Sequence, residues 1–481
     1  MYLGIDLGTS SVKALLMDEA QRIVASASAE MHVARPHSGW SEQDPAQWVK
    51  GTTATLDGLK ASHPGELAAV SGIGLSGHQH GATLIDKADK VLRPCILWND
   101  TRSFKEAAAL DANPIFRAIA GNIVFAGFTA PKLVWVKNNE PEVFSSVAKA
   151  LLPKDYLRLW LTGEHVSEMS DASGTAWLDV GNRRWSEELL SASGMRDDQM
   201  PSLVEGSAVS GFLRSELASR YGMSGSVVVA GGAGDNAASA VGVGTVRPDA
   251  AFVSLGTSGV LFVSNADYAP NPASAVHAFC HAIPNTWHQM GVILSATDAL
   301  NWQGNLLGRK PAELTAGLAD LVAPGSVVFL PYLSGERTPV NDANIRGSFI
   351  GLEHVTDAQD MTRAILNGVA FAFRDSLEAL KVAGTAPKRL TAVGGGAKSR
   401  LWLEAIATVL SLPVDVPADG DFGAAFGAAR LGLLASTGAD PLATCTLAKI
   451  AQTIDPNTRL RPAFEAGYQR YRKLYPAIKG I

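Results

Sequence analysis

Several residues able to bind phosphate or to move a proton follow short apolar segments. Asp6 precedes Leu7-Gly8-Thr9-Ser10, and the same tetrapeptide returns in the second half as Leu255-Gly256-Thr257-Ser258, where Ser254 precedes it. Small residues at a hairpin tip let backbone N–H groups approach an anion, and the hydroxyls add further donors. Two such turns predict a clamp on a polyphosphate, although two ordinary tight hairpins would show the same pattern.

A second chemical signal lies in VVVAGGAGDNAASAVGVG, residues 227–244, where Asp235 and Asn236 follow an apolar strand and three glycines. Proteins with α/β folds bind ligands at the carboxyl ends of strands. A carboxylate there can take a proton from a hydroxyl that attacks phosphorus. Asp235 is therefore the candidate general base. An aspartate that caps the following helix would fit the same position, and the two roles are compatible.

The segment His78-Gln79-His80 follows another short apolar strand and can hydrogen-bond a polyol. Glycines in that strand match the G-x-G-x-x-G pattern, but they lie within the strand and not in the turn after it, so a dinucleotide site is rejected. A metal site is also conceivable here, or at His277, Cys280 and His281. Both clusters lack a full set of ligands.

The segment VGGGAKSRLW, residues 393–402, combines a strand, a glycine turn and a helix start. Gly395, Gly396 and Ser399 can cradle the ribose and α-phosphate of a nucleotide at the helix N-terminus. The alternative to a nucleotide site is a turn that only allows the helix to pack closely on the strand. Asp421-Phe422-Gly423 imitates the magnesium motif of protein kinases, but its partner motifs are missing, so it is interpreted as a turn.

The elements around these residues alternate between strands and helices. Each repeated turn is flanked by apolar segments, which predicts a β-hairpin in each half. Asp44-Pro45 predicts the start of a helix, and apolar spacing predicts another over 361–380. The alternation indicates an α/β fold with mixed sheets, and the internal repeat indicates two duplicated domains, 1–243 and 244–481.

Composition narrows the classes of function. A chain of 481 residues suits two domains, and its net charge of −5 argues against a nucleic-acid binder. Three widely spaced cysteines make a disulfide framework improbable. We find neither a signal-peptide pattern nor an apolar run long enough to span a membrane, so the expected location is cytoplasmic. A last helix, about 460–476, carries an aromatic stripe that we expect to pack on the first half. The sequence leaves open whether the chain forms a homodimer.

Together these motifs resemble the FGGY carbohydrate kinases of the actin-like ATPase superfamily. The two glycine turns, the aspartate in the first turn only and the later Gly-Asp-Asn are typical of that family. GFTAPKLVWVKNN (127–139) and GSFIGLEHVTDAQDMTRAILNG (347–368) are similar to its two signatures. Further segments resemble members that act on xylulose: PHSGWSEQDPAQW, HQHGATLID, RPCILWNDTR, LLPKDYLRLWLTGE, SDASGT and FLPYLSGERTP.

The resemblance implies two actin-like (ribonuclease H-like) ATPase domains around a central cleft, and ATP-dependent phosphorylation of D-xylulose at its C5 hydroxyl. One alternative is a kinase of this family that acts on another sugar, such as ribulose or gluconate. The other is an actin-like ATPase that is not a kinase. The loop at 78–81 departs from the Gln-Met-His-Gly of many relatives, which bears on the choice of sugar.

The resemblance also assigns roles to residues. Asp6 and Asp235 would hold Mg²⁺, and Asp235 would act as the base. The sugar would contact Gln79, His80, Asp235, Asn236, Trp98 and Asp100. ATP would contact Gly8, Thr9, Ser10, Gly256, Thr257, Ser258, Trp302, Gly395, Gly396 and Ser399.

Overall fold

A computed structural model describes residues 1–418 and 423–480. Asp421 and Phe422 of the predicted turn lie outside the described residues. Within the described ranges, we find no helix that is long and apolar enough to cross a lipid bilayer. Cys95, Cys280 and Cys445 are buried and unpaired thiols, as the cysteine spacing predicts.

The first half alternates short strands with helices around one large sheet. Its strands are β1 (Tyr2–Leu7), β2 (Ser11–Met17), β3 (Ile23–Glu30), β4 (Glu42–Gln43), β5 (Gly72–Gly77), β6 (Thr83–Ile85), β7 (Cys95–Ile96), β8 (Lys149–Leu151), β9 (Val166–Glu168), β10 (Leu178–Asp179), β11 (Arg184–Trp185), β12 (Ser202–Val204), β13 (Val209–Phe212), β14 (Val228–Ala230) and β15 (Ala233–Gly234). Its helices are α1 (Pro45–Ser62), α2 (Pro64–Ala68), α3 (Phe104–Asp111), α4 (Pro114–Ile119), α5 (Thr129–Asn139), α6 (Pro141–Ser146), α7 (Pro153–Thr162), α8 (Met169–Ala172), α9 (Glu187–Ala192), α10 (Ser215–Tyr221) and α11 (Asp235–Val243).

The second half is built in the same way. Its strands are β16 (Ala251–Leu255), β17 (Gly259–Asn265), β18 (His277–Cys280), β19 (Trp287–Ile293), β20 (Val328–Leu330), β21 (Ser348–Ile350), β22 (Leu390–Val393), β23 (Val414–Pro417) and β24 (Ile450–Ile454). Its helices are α12 (Thr297–Leu307), α13 (Pro311–Ala316), α14 (Ala358–Val382), α15 (Arg400–Leu410), α16 (Ala424–Thr437), α17 (Pro441–Thr444), α18 (Arg461–Arg472) and α19 (Leu474–Ile478).

The two large sheets share one pairing scheme around the repeated turns. The first has the order β13-β14-β5-β1-β2-β3, with β15 also on β5, and the second has the order β18-β19-β17-β16-β22-β23-β24. Strand β1 pairs antiparallel with β2 and parallel with β5. Strand β16 likewise pairs antiparallel with β17 and parallel with β22. The predicted hairpins, mixed sheets and internal duplication are therefore confirmed.

Local sequence signals position several of these elements. Asp44 caps α1, because its carboxylate accepts a hydrogen bond from the Ala46 N–H, and Pro45 occupies the first helical position. Helix α14 spans the predicted 361–380 segment and extends beyond it at both ends. Its buried face lies in a core formed with β16, β17 and β22. The predicted strand at 390–393 is also present.

Helix α16 belongs to the second half of the chain but packs on β1 and β5 of the first sheet. The contact is very close, because a Cβ added to Gly74 would lie 1.8 Å from the Ala428 carbonyl oxygen, and one on Gly4 would lie 1.9 Å from that of Ala425. Helix α11 makes the reciprocal crossing, since Ala240 shares a core with aromatic residues of the second sheet. Only glycine, which has no Cβ, permits such a close approach at positions 4 and 74.

The expectation that the last helix packs on the first half is wrong. Phe464, Tyr468 and Tyr471 of α18 belong to the core of the second half, where Phe371 of α14 contacts all three rings. The Tyr468 hydroxyl donates a hydrogen bond to Asp375 over 2.6 Å. An aromatic stripe shows that a helix face is buried, but its periodicity does not identify the partner.

Candidate active site

Three strands of the first sheet end side by side and bring the candidate base, the candidate metal ligand and the sugar loop to one edge. In the parallel pairing of β1 with β5, Asp6 lies opposite Ser76. On the other side of β5, Gly234 lies opposite Gly77. The carboxyl ends of parallel strands share one edge of a sheet, where α/β proteins bind ligands. The structure therefore brings together residues that are far apart in the chain.

Asp235 is partly buried and is the first residue of α11, while Gly234 occupies the capping position before it. The Oδ1 atom of Asp235 accepts hydrogen bonds from the backbone N–H of Asn236, at 2.7 Å, and from its Nδ2, at 3.0 Å. Burial raises the pKa of Asp235 to about 6, and the charge of Asp6 contributes in the same direction. A carboxylate with this pKa is ionised at neutral pH and is a stronger base than an exposed aspartate.

Asp6 is also partly buried at this edge. Burial raises its pKa, while a hydrogen bond from Ser76 and the charge of Lys13 lower it. Two neighbouring carboxylates that repel one another form a site of negative potential, and a hard cation with oxygen preference relieves that repulsion. Among the described residues we find no group of three or more His, Cys, Asp or Glu side chains with metal-binding geometry. That finding also leaves the metal interpretation of His277, Cys280 and His281 without support.

The loop after β5 places Gln79 and His80 beside this pair. The Nε2 of Gln79 donates to the Ser170 carbonyl over 3.2 Å, and a Cβ on Gly234 would lie 2.6 Å from the same nitrogen. The His80 ring stacks on Phe128 with centroids 4.7 Å apart. Burial and the nearby Lys132 lower the pKa of His80 to about 3, so its imidazole is neutral. A neutral imidazole and an amide suit recognition of hydroxyl groups.

Trp98 and Asp100 occupy different environments although they are two residues apart. Trp98 is exposed, and its Nε1 donates a 3.0 Å hydrogen bond to the Thr9 hydroxyl in the first glycine turn. Asp100 is buried, and both of its carboxylate oxygens accept bonds from the Arg102 guanidinium, while Oδ2 also accepts from the Ser41 N–H. The carboxylate of Asp100 is therefore engaged by protein groups that hold the Trp98 loop.

A fully buried charge network lies behind the Asp235 segment. Lys154 Nζ lies 2.7 Å from Asp155, 3.0 Å from Asp171 and 3.4 Å from Glu168. Burial and the charges of Asp155 and Glu168 raise the pKa of Asp171 to about 8, although Lys154 opposes this. The network reaches the site through Ser170, whose hydroxyl donates to Glu168 and accepts from the Gly234 N–H.

The second glycine turn lies against the start of α12. The Gly256 carbonyl accepts from the N–H and hydroxyl of Thr297, at 2.9 and 2.7 Å, and the Thr257 carbonyl accepts from the Ala296 N–H at 2.8 Å. In a trans peptide the N–H points opposite to the preceding carbonyl. The N–H groups of Thr257 and Ser258 are therefore directed away from α12, which is the arrangement required to bind an anion.

The triple-glycine segment packs beside this turn. Gly394 has a φ of +89°, and a Cβ there would lie 2.8 Å from the Leu255 carbonyl oxygen. A Cβ on Gly396 would lie 2.8 Å from the Leu255 Cβ, whereas one on Gly395 would meet no atom within 4 Å. Close packing thus requires Gly394 and Gly396, and Gly395 leaves an open surface beside them.

Two further predicted nucleotide contacts extend from this edge. Ser399 caps α15, since its hydroxyl accepts a 3.3 Å hydrogen bond from the Trp402 N–H. Trp302 lies on α12 and is partly exposed, with its ring nearly parallel to Phe349 at a centroid distance of 6.1 Å. Gly256, Thr257, Gly395 and Gly396 therefore lie together at the edge of the second sheet, while Trp302 lies further along α12, the helix whose first residue binds the Gly256 carbonyl.

The residues that support these groups were not predicted from the sequence. Lys132 donates to the His80 carbonyl, and Ser170 binds both Gln79 and Gly234. Arg158 donates to the Gly231 carbonyl at the other end of the glycine segment. All three lie in motifs quoted for the resemblance, GFTAPKLVWVKNN, SDASGT and LLPKDYLRLWLTGE. Their presence in those motifs was the available signal, but their contacts depend on the tertiary fold.

Comparisons with known proteins find a family whose models match most of the chain. Residues 1–242 match the N-terminal domain, and 251–436 the C-terminal domain, of the "FGGY family of carbohydrate kinases". The chain is 45% identical to a xylulose kinase of Escherichia coli over 99% of both chains. It is 64% identical, with a TM-score of 0.98 and 99% coverage of both, to a crystal structure described as a xyloylose kinase from Brucella ovis. A xylulose kinase structure from Rhodospirillum rubrum gives 30% identity and a TM-score of 0.91, covering 99% of this chain and 98% of that one.

Proposed function

Because this chain belongs to the FGGY family of carbohydrate kinases, we propose that it transfers the γ-phosphoryl group of ATP to the C5 hydroxyl of D-xylulose. The products are D-xylulose 5-phosphate and ADP. The observation that carries the proposal is the partly buried Asp235 at the carboxyl edge of the first sheet, with its raised pKa and the Gln79-His80 loop beside it. The names of the similar proteins support xylulose as the acceptor.

The fold has two mixed-sheet α/β domains of the actin-like ATPase type. We place the division between them at residues 243 and 244. In this proposal the first domain binds the sugar through Gln79, His80 and Asn236, with Trp98 at its edge. The second domain binds ATP through Thr257, Ser258, Gly395, Gly396 and Trp302. Asp100 serves by fixing the Trp98 loop, because its carboxylate is already bonded to Arg102.

The chemical step follows from the position of Asp235. Asp235 accepts the proton of the C5 hydroxyl as that oxygen forms its bond to the γ-phosphorus, and the bond from phosphorus to the β–γ bridging oxygen breaks. Asn236 holds the Asp235 carboxylate through two hydrogen bonds, which fixes its orientation. The N–H groups of the two glycine turns stabilise the charge on the phosphate oxygens.

Asp6 and Asp235 are the residues that fit Mg²⁺. Magnesium is commonly held by one or two carboxylates together with substrate phosphates, and this pair offers two oxygen donors whose mutual repulsion a cation relieves. When bound, the ion neutralises phosphate charge during transfer. Asp6 would be its anchor, which leaves Asp235 available for the proton.

The test is a coupled ADP-release assay over D-xylulose, D-ribulose, L-ribulose, gluconate and glycerol, with the phosphorylated carbon identified by NMR. We expect D-xylulose to have the highest kcat/KM and the product to carry phosphate at C5. A higher kcat/KM for another sugar would identify that sugar as the acceptor in place of D-xylulose. ATP hydrolysis that no sugar stimulates would refute the kinase assignment and favour an actin-like ATPase without an acceptor.

A further inference from the structure

We propose that Lys132 is a positioning residue for sugar binding, which it performs by fixing the backbone of His80 and of Gly127 at the same point. This inference rests on the proposed function, because it concerns the loop assigned to the sugar. Lys132 lies on the first turn of α5, and its Nζ donates to the carbonyl oxygens of His80 and Gly127 over 2.7 Å each. One side chain thus joins two loops that are far apart in the sequence.

The environment of Lys132 distinguishes it from a structural ion pair. Its side chain is fully buried, and within the described ranges it makes no ion pair within 4 Å of a carboxylate. Burial of a lysine side chain lowers the stability of the folded protein unless its N–H donors make hydrogen bonds. Burial lowers the pKa of Lys132 to about 7, while Cys95 and Asp100 raise it and Arg102 lowers it. The ammonium and the neutral amine both offer at least two N–H donors, so either form can bind two carbonyls.

The His80 side of this contact needs such support. His80 has a φ of +68°, in the left-handed region that non-glycine residues rarely adopt. Its carbonyl also accepts from the Thr129 hydroxyl at 3.2 Å, and its Nδ1 lies 2.7 Å from the Gly174 carbonyl. The ring is fixed by Phe128 and Gly174, and the backbone is fixed by Lys132 and Thr129. Loss of Lys132 therefore leaves the His80 carbonyl with the Thr129 hydroxyl alone, while the ring contacts remain.

The Gly127 side connects the sugar loop to Trp98 and to the first phosphate turn. A Cβ on Gly127 would lie 2.4 Å from the Trp98 carbonyl oxygen, so these two segments are in direct contact. Trp98 in turn donates to the Thr9 hydroxyl. Lys132 thus acts on the parts of the first sheet edge that face the sugar. The residues proposed to bind the nucleotide, Gly395 and Trp302, belong to the second half of the chain, and within the described ranges Lys132 makes no hydrogen bond with them.

The experiment compares Lys132→Met with Lys137→Met, an exposed lysine on the same helix. Each variant is assayed with the sugar that the wild type prefers. For Lys132→Met we expect the sugar KM to rise about tenfold or more, since one hydrogen bond to the His80 loop and one to Gly127 are lost. The dissociation constant of ATP, measured by calorimetry without sugar, should stay within twofold of wild type. Lys137→Met should match the wild type in both constants.

Hydrogen exchange gives a second measurement on the same proteins. Lys132→Met should accelerate exchange of amides in 78–82 and 126–129 and leave 393–399 unchanged. Should Lys132→Met fail to fold, Thr129→Val removes one donor to the His80 carbonyl and should raise the sugar KM about two- to fivefold.

The outcomes separate this inference from the proposed function. A wild type that prefers a sugar other than D-xylulose changes the acceptor but leaves the Lys132 comparison valid with that sugar. The inference is overturned if the wild type is active and Lys132→Met keeps the wild-type sugar KM. Where Lys132→Met does not fold, an unchanged sugar KM in Thr129→Val overturns it. It is also overturned if Lys132→Met weakens sugar and ATP binding equally, because a general loss of structure would do the same.

Discussion

Replacing Asp235 by asparagine should raise stability while it removes activity, because the folded protein holds this carboxylate in an unfavourable environment. Burial and the charge of Asp6 raise the pKa of Asp235 to about 6, against ~3.9 in an unfolded chain. Each pKa unit is worth ~1.4 kcal/mol, so ionised Asp235 lowers the free energy of unfolding by about 3 kcal/mol at neutral pH. Asparagine has nearly the same shape and no charge.

The sign of the pH dependence follows from the raised pKa. Below about pH 4 the carboxyl is protonated in both the folded and the unfolded state, and no cost arises. Between about pH 4 and 6 the unfolded state has lost this proton while the folded state still holds it, so stability falls as the pH rises, and the full cost is present above about pH 6. Asp235→Asn removes this loss, so its advantage should grow from acidic to neutral pH.

The assay is thermal unfolding without magnesium and nucleotide, at pH 4.5 and pH 8. For a chain of this length, about 3 kcal/mol corresponds to a rise in Tm of about 3 °C at pH 8, and the difference should shrink to about a third at pH 4.5. Turnover of Asp235→Asn should fall by at least ~100-fold. The wild-type kcat/KM should rise with pH through an acidic limb near 6, the pKa of Asp235.

Asp320→Asn serves as the control, since Asp320 is exposed, and it should show no pH-dependent gain in Tm. The reasoning fails if Asp235→Asn is no more stable than wild type at pH 8. It also fails if the variant keeps more than a tenth of the wild-type turnover, because Asp235 would then not be the base.

Three other substitutions test the fold and the nucleotide edge. Gly74→Ala should lower Tm strongly, because its Cβ would lie 1.8 Å from the Ala428 carbonyl oxygen, whereas Gly58→Ala, whose Cβ has only a 3.7 Å contact, should be neutral or stabilising in the same thermal scan. Trp302→Ala should raise the KM for ATP about tenfold and leave the sugar KM unchanged in steady-state assays, because we propose that this partly exposed ring on α12 contacts the adenine. Lys154→Met should cost about 3–5 kcal/mol in chemical unfolding, since it leaves the buried Asp171 without its cationic partner, whereas Asp155 keeps Arg158.

The sequence predicted the elements whose signals are local. The repeated turns, the strand at 390–393 and the capped start of α1 each depend on residue types within a few positions, and each is present in the structure. The candidate groups at each sheet edge also cluster, because parallel strands place their carboxyl ends together. Asp235 was identified for this reason.

The remaining features depend on contacts between distant segments. Helix α16 consists largely of small and apolar residues, so its pattern does not show which sheet it covers. Asp100 has the chemistry of a sugar ligand, but the guanidinium of Arg102 and the Ser41 N–H occupy its oxygens only in the folded chain. Lys132 resembles any helical lysine until the His80 loop is placed over it.

The duplicated architecture also explains why a carboxylate precedes only one of the two turns. By register, Asp6 lies opposite Ser76 in the first sheet, and Ser254 lies opposite Val393 in the second, so the two positions are structural equivalents. Asp6 already raises the pKa of Asp235 by its charge. We infer that a second carboxylate at 254 would add like charge beside a turn whose N–H groups are arranged for an anion, and would weaken phosphate binding by electrostatic repulsion. One acidic turn for a cation and one neutral turn for phosphate is therefore the arrangement that a polyphosphate carrying a metal ion requires.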